Sequence, residues 1–193
     1  MHAVKIPCYS VEQYLEIEKD GEQRHEYLNG EIIAMTGGSL AHNLITGNLF
    51  SALRAHLRGT PCRAYVNDVK VRVETANCFF YPDVLVSCLE TTRLDNCYFV
   101  NDAQLIVEVL SPSTRQRDRE FKRFTYQQLP GLREYLLVAQ DRRQVMVYRR
   151  LPDGWEQLTY SAGETMELDS VGLALPLSQI YEDVPDDLLA GNE

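Results

Sequence analysis

Leu105-Ile106-Val107-Glu108-Val109-Leu110 runs directly into Ser111-Pro112-Ser113-Thr114. An apolar run of this kind, rich in β-branched residues and closed by turn formers, predicts a strand buried on both faces. Glu108 is the exception inside it. An unpaired carboxylate there costs on the order of several kcal/mol, so the side chain must be protonated, hydrogen-bonded, paired with a cation or bound to a metal. Folding alone would not place a charge at this point.

Downstream of that strand, Arg115 to Leu129 predicts a helix stopped by Pro130-Gly131, and Glu134 to Ala139 predicts another buried strand. Gln144 to Arg149 and Trp155 to Tyr160 follow as strands, the second at a sheet edge. Upstream, Phe79 to Val86 reads as one strand, apolar on both faces and therefore central. Val69, Val71 and Val73 alternate with Lys70 and Arg72, which predicts a strand with one buried and one wet face. Leu40, Leu44, Leu49, Leu53 and Leu57 predict a long helix ending before Gly59 and Pro61. Before it, Glu31 to Met35 reads as a strand after the Asn29-Gly30 turn. Val11, Tyr14, Leu15 and Ile17 recur at helical spacing behind a Ser10 cap, predicting a short helix between Val11 and Tyr27. The order points to an α+β domain with a mixed sheet, helices packed on it and a C-terminal β extension.

A chain of 193 residues with 45% hydrophobic composition can bury one full core, so a single domain over residues 1–193 is expected. No apolar stretch has membrane-spanning length, and the first residues lack a signal-peptide pattern, so a cytoplasmic location and no membrane partner are expected. The five cysteines include no C-x-x-C pair, which predicts reduced, mostly buried thiols. A net charge of −9 argues against coating nucleic acid through the overall field. It leaves room for a local patch, and Arg115, Arg117, Arg119, Lys122 and Arg123 form one. The same cluster also describes a solvated helix face.

Asp83, after Pro82, gives a second core strand its own carboxylate. Paired carboxylates on adjacent strands suit Mg²⁺, with Mn²⁺ as a substitute, because a hard cation takes oxygen ligands and keeps waters for chemistry. Alone, Asp83 also fits a simpler role, its side chain accepting from a free backbone amide. Asp118, Lys122 and Tyr126 share one helix face, where an exposed ion pair would contribute only ~0.2–0.5 kcal/mol. If the helix folds back over its strand, Lys122 lies about 12 Å along it and Glu108 about 7 Å below the strand end. The lean of helical side chains toward the amino terminus then covers most of the difference, bringing the ammonium to Glu108. Two carboxylates, a metal and a lysine are what phosphodiester hydrolysis requires. The histidines fall into no metal-ligand spacing, and there is no G-x-S-x-G or Walker A loop. His42 is a candidate substrate contact, or simply a packed helix-face histidine.

Carrying these residues, the chain resembles the Uma-two family. The resemblance rests on Arg24-His25-Glu26-Tyr27-Leu28-Asn29-Gly30-Glu31-Ile32, His42, Pro82-Asp83-Val84, Glu108 to Thr114 with Asp118, Lys122 and Tyr126, and Gly131-Leu132-Arg133-Glu134-Tyr135. It implies a restriction-endonuclease-like αβββαβ core of the PD-(D/E)XK nuclease superfamily. It further implies a Mg-dependent endodeoxyribonuclease acting on DNA, with Asp83 and Glu108 on the metal and Glu26 as a helix-borne acid. The superfamily lysine position, two residues after the second acid, is Leu110 here, so Lys122 is expected to supply that group. His42, Arg115, Arg117 and Tyr126 are the expected substrate contacts. Cutting both strands of a duplex calls for two symmetric sites, hence an expected homodimer. A nuclease-like fold that only binds nucleic acid or protein is the alternative, since a fold does not establish an activity.

Overall fold

A computed structural model describes residues 8–88 and 98–190. The chain begins with α1 (Val11–Asp20), capped by a reciprocal Ser10/Gln13 box, and then a hairpin, β1 (His25–Leu28) and β2 (Glu31–Ala34). Asn29 and Gly30 both have positive φ, the tight turn that matches the twist of paired strands. α2 (Leu40–His56) follows, then β3 (Arg63–Val66), β4 (Lys70–Val73), β5 (Cys78–Phe80), β6 (Val84–Ser87), β7 (Phe99–Val100) and β8 (Ala103–Leu110). α3 (Arg115–Arg117), a π-helical turn (Asp118–Lys122) and α4 (Arg123–Tyr126) run on as one helix. β9 (Glu134–Ala139), β10 (Gln144–Leu151), β11 (Gly154–Ser161), the β12 (Thr165–Leu168) and β13 (Leu173–Pro176) hairpin, and α5 (Leu177–Ile180) complete the chain.

One sheet has the order β11-β10-β9-β8-β6-β3, and a second has the order β2-β1-β5-β4-β7. In the first, β8 and β9 are parallel and joined by the α3 to α4 helix, while the other pairs are antiparallel. Thus α2, β3, β6, β8, the helix and β9 form the expected αβββαβ core, and β10 to β13 form the C-terminal extension. Alternation along β8 sorts its side chains: Leu105, Val107 and Val109 pack with α2, and Ile106 and Leu110 pack with Tyr126 and the second sheet. α1 covers the far side of the second sheet through Tyr14, Tyr27 and Phe79.

Several expectations need correction. Phe79 to Val86 is two strands in two sheets, because Pro82 offers no amide to a ladder and the chain changes sheets across Tyr81-Pro82-Asp83. β6 remains in the core beside β8, and β3, whose short Arg-Ala-Tyr-Val run carries no clear period, is a further core strand that the sequence did not reveal. On β4 the supposedly wet Lys70 is buried, its Nζ donating to the Tyr81 hydroxyl at 3.0 Å. Tyr81 in turn donates to Glu18, which also accepts from the His25 backbone amide. The first helix ends at Asp20, so Glu26 stands on a strand and not on a helix. Cys62 and Cys88 are joined by a disulfide, not reduced. Their strands pair antiparallel with Arg63 opposite Ser87, so one step further sets these two cysteines face to face. Cys8 and Cys78 are free, and Cys97 lies outside the described residues.

Candidate active site

The site begins with register. Val84 pairs with Val107 between β6 and β8, and the same antiparallel register continued one step sets Asp83 opposite Glu108. Both line a cleft of about 470 Å³, together with Glu26, His42, Arg117, Asp118 and Lys122. One wall is the Thr36–Ser39 loop leading into α2, and the other is the Ser111–Thr114 turn after β8. A Cβ on Gly38 would meet the His42 ring at 2.8 Å, so this wall passes too close to α2 for a side chain there.

Asp83 Oδ2 accepts from the Val109 amide at 2.6 Å and lies 3.2 Å from His42 Nε2. The simpler role considered for this aspartate, bonding a backbone amide, is therefore also present. His42 reaches it from the first turn of α2, whose start is set by the Ser39 cap. Burial alone would lower the imidazole pKa, but the hydrogen bond and charge of Asp83 outweigh it and the net shift is upward.

Glu108 Oε1 accepts from Lys122 Nζ at 3.0 Å and from the Tyr126 hydroxyl at 2.9 Å. The same ammonium lies 3.0 Å from Glu26 Oε1 and 3.2 Å from Asp118 Oδ1. Of the three carboxylate oxygens round the ammonium, Glu108 Oε1 takes a hydrogen bond, while Asp118 Oδ1 is buried with none among the described residues. Arg117 engages the other oxygen of Glu26. Glu108, Asp118 and Lys122 are only 4%, 1% and 5% exposed, which removes the exposed-pair reading of Asp118 and Lys122. Burial pushes the Glu108 carboxyl up to about 8, with Asp118 and Asp83 adding repulsion that Lys122 does not cancel. For Lys122, burial acts downward, but Glu108 and Asp118 outweigh it and hold the ammonium charged. Around the ammonium, three carboxylates face two cations, Lys122 and Arg117, so the cage is short of positive charge.

Other expected contacts lie elsewhere. Tyr126 is fully buried, its hydroxyl spent on Glu108, and does not line the cleft. Arg115 pairs with Asp141 at 2.5 Å, and Arg123 stacks over the Phe124 and Tyr148 rings at 4.2 and 4.8 Å. Only Arg117 of the basic cluster's arginines lines the cleft, because successive helical positions point about 100° apart. Asp118 was legible as the partner of Lys122, but its place among the cleft carboxylates was not. Glu26 reaches the cage because Tyr27, its neighbour on β1, turns to the opposite side and packs with α1.

Mg²⁺ needs one or two carboxylates and keeps most of its waters. Asp83 and Glu108, facing each other on neighbouring strands beside open volume, fit that demand. No group of three or more metal-ligating side chains is gathered among the described residues. Water would have to complete the coordination.

Comparisons with known proteins identify the family and the fold. Residues 11–178 match the model of the family Uma2, described as "Putative restriction endonuclease". The chain belongs to the Uma2 family. An uncharacterized protein of Synechocystis sp. is 37% identical over 91% of this chain and 93% of its own length. A second from the same organism is 34% identical over 81% of this chain and 89% of its own. The crystal structure of a "putative nuclease belonging to DUF820" from Anabaena variabilis superposes with a TM-score of 0.74, covering 94% of this Uma2 chain and 99% of its own at 19% identity. That likeness establishes the nuclease-type fold. No helix among the described residues is long and apolar enough to cross a membrane.

Proposed function

We propose that this Uma2 protein is a divalent-metal-dependent endonuclease acting on duplex DNA as a homodimer, with Asp83 and Glu108 holding Mg²⁺. The observation that carries the reading is the cross-strand placement of Asp83 and Glu108 with Lys122 at 3.0 Å from Glu108, all on one cleft. When bound, the metal supplies a water of lowered pKa and neutralises phosphate charge. The chain's own residues do the rest. The Val109 amide and His42 hold Asp83 in one orientation, and Tyr126 and Lys122 do the same for Glu108. Lys122 keeps a fixed positive charge at the carboxylate edge, where negative charge on a phosphate would grow. Glu26 and Asp118 keep that ammonium charged and aimed, and Arg117 presents the cleft with a second cation.

Titration calorimetry with Mn²⁺ and Mg²⁺, paired with nicking of supercoiled plasmid, tests this. Wild type should bind and nick, and Asp83→Asn and Glu108→Gln should do neither while remaining folded. Metal binding without nicking on any nucleic acid would leave the binding-only reading, and no metal binding at all would remove the site.

A further inference from the structure

We propose that Arg54, Arg58 and Arg63 form a second phosphate-binding subsite, distinct from the cleft, that takes the backbone of the same nucleic acid. They line a hollow of about 220 Å³ at the C-terminal end of α2, together with Leu57, Cys62 and Ala64, and no carboxylate lines it among the described residues. In a chain of net charge −9, three guanidinium groups round one hollow are a local exception. None of the three makes an ion pair among the described residues.

Helix ends favour cations near their last carbonyls, which accounts for Arg54 and Arg58 singly. It does not account for Arg63, which comes from β3 and is held in place. Its Nη1 donates to the Thr60 carbonyl at 2.6 Å and the Cys62 carbonyl at 2.9 Å, so its other donors are left for a ligand. The loop beneath it is braced: the Thr60 hydroxyl donates to Leu57 O at 2.8 Å and accepts from the Cys62 amide at 3.2 Å. The Cys62–Cys88 disulfide ties that loop to β6. Arg54 in the last turn of α2 and Arg58 just past its end set two like charges on one hollow, a repulsion that a solvated surface has no reason to keep. A rigid guanidinium with two more beside it suits a phosphate, whose oxygens accept from several donors at once.

Helix geometry connects hollow and cleft. Asn43 lines the cleft, and Arg54 lies eleven residues further along α2. At about 100° and 1.5 Å per residue, Arg54 returns to within about 20° of the same face, roughly 16 Å away. Between them, Gly47 is exposed, and a Cβ there would meet nothing within 4 Å. That span is about five base-pair rises of duplex. The ligand rests on the nuclease reading, whereas the arginine hollow does not.

Two measurements on the full chain test the proposal. In arginine Nε–H spectra, inorganic phosphate should shift Arg63 and Arg58 saturably in the wild type, and the Arg54→Glu, Arg58→Glu double variant should lose that response. In fluorescence anisotropy, the same variant should weaken binding of a duplex of about 24 base pairs and lower the salt slope by about two. Binding of an oligonucleotide shorter than about five nucleotides, which cannot span both places, should not change. Phosphate shifts without any duplex binding would uphold the subsite and reject the nucleic-acid ligand. Duplex binding and plasmid nicking with silent arginines and an unchanged salt slope would overturn the subsite and leave the nuclease reading standing.

Discussion

Glu108 and Glu134 are buried glutamates on the adjacent parallel strands β8 and β9, yet they hold opposite kinds of environment. Glu134, 0% exposed, shares its face with Leu136 and Val138 and turns toward the C-terminal hairpin. There Arg149, its cross-strand partner, donates at 2.9 Å, and the Asp169 and Ser170 amides donate at 3.2 and 3.0 Å. The Ser170 hydroxyl joins them, so both carboxylate oxygens are engaged by groups that close a turn. Glu108 faces the other way, its contacts all on Oε1, beside a cleft and among other carboxylates. Burial is therefore a poor marker of chemistry by itself. What separates the two is whether structural donors saturate the carboxylate or leave it short of charge next to open space.

The sharpest way to break this comparison is activity. Glu108→Gln should lower metal-dependent plasmid nicking by a factor on the order of a hundred or more, as for loss of one group acting on transition-state charge. Glu134→Gln should leave Mn²⁺ binding in calorimetry unchanged; loss of metal heat in that variant would put both glutamates in one system. Stability should divide them in the reverse sense. Glu134→Ala strands Arg149 and two amides, so chemical denaturation should show a loss of about 3 kcal/mol.

Lys122 tests the cage itself. Removing the ammonium leaves Glu26, Glu108 and Asp118 buried together, so Lys122→Met should destabilise by about 3 kcal/mol at pH 8 and by clearly less at pH 5, where the carboxylates can take protons. A pH-independent cost would mean the three acids do not share that charge.

The pH dependence of Glu108 gives a smaller, signed effect. Its folded pKa of about 8 lies above the usual carboxylate value, so the folded state binds its proton more tightly than the unfolded chain. Stability is then lost as pH rises from about 4.5 through about 8. In EDTA, the stability of Glu108→Gln relative to wild type should climb over that window, and denaturation curves at several pH values check it. The smallest effect belongs to Arg115→Ala. Its pair with Asp141 is about one-third exposed on both sides, so the change should cost under ~1 kcal/mol and leave metal binding alone.

Much of the core was legible because its signals are local. The β8 run, the α2 period and the Asn29-Gly30 turn each carry their pattern within a few residues, and Lys122 was reachable from helix rise and side-chain lean. Where signals were short or two-sided, the reading failed. Phe79 to Val86 hid a change of sheet, Lys70 looked solvated on a strand whose wet face is covered, and the arginines of the α3 to α4 helix looked like one patch.

Sequence by itself determined that a charge sits inside a buried strand, that a second acid follows Pro82, and that a lysine one helix later can reach the first. Those follow from chain geometry over short separations. Only the tertiary structure decided that Glu26 joins from another sheet, that Asp118 is buried with Lys122, and that Glu134 is saturated while Glu108 is not. A charge's environment is set by groups brought together across long separations, and a one-residue change of register would have turned Glu26, Glu108 and Glu134 to the other faces of their strands.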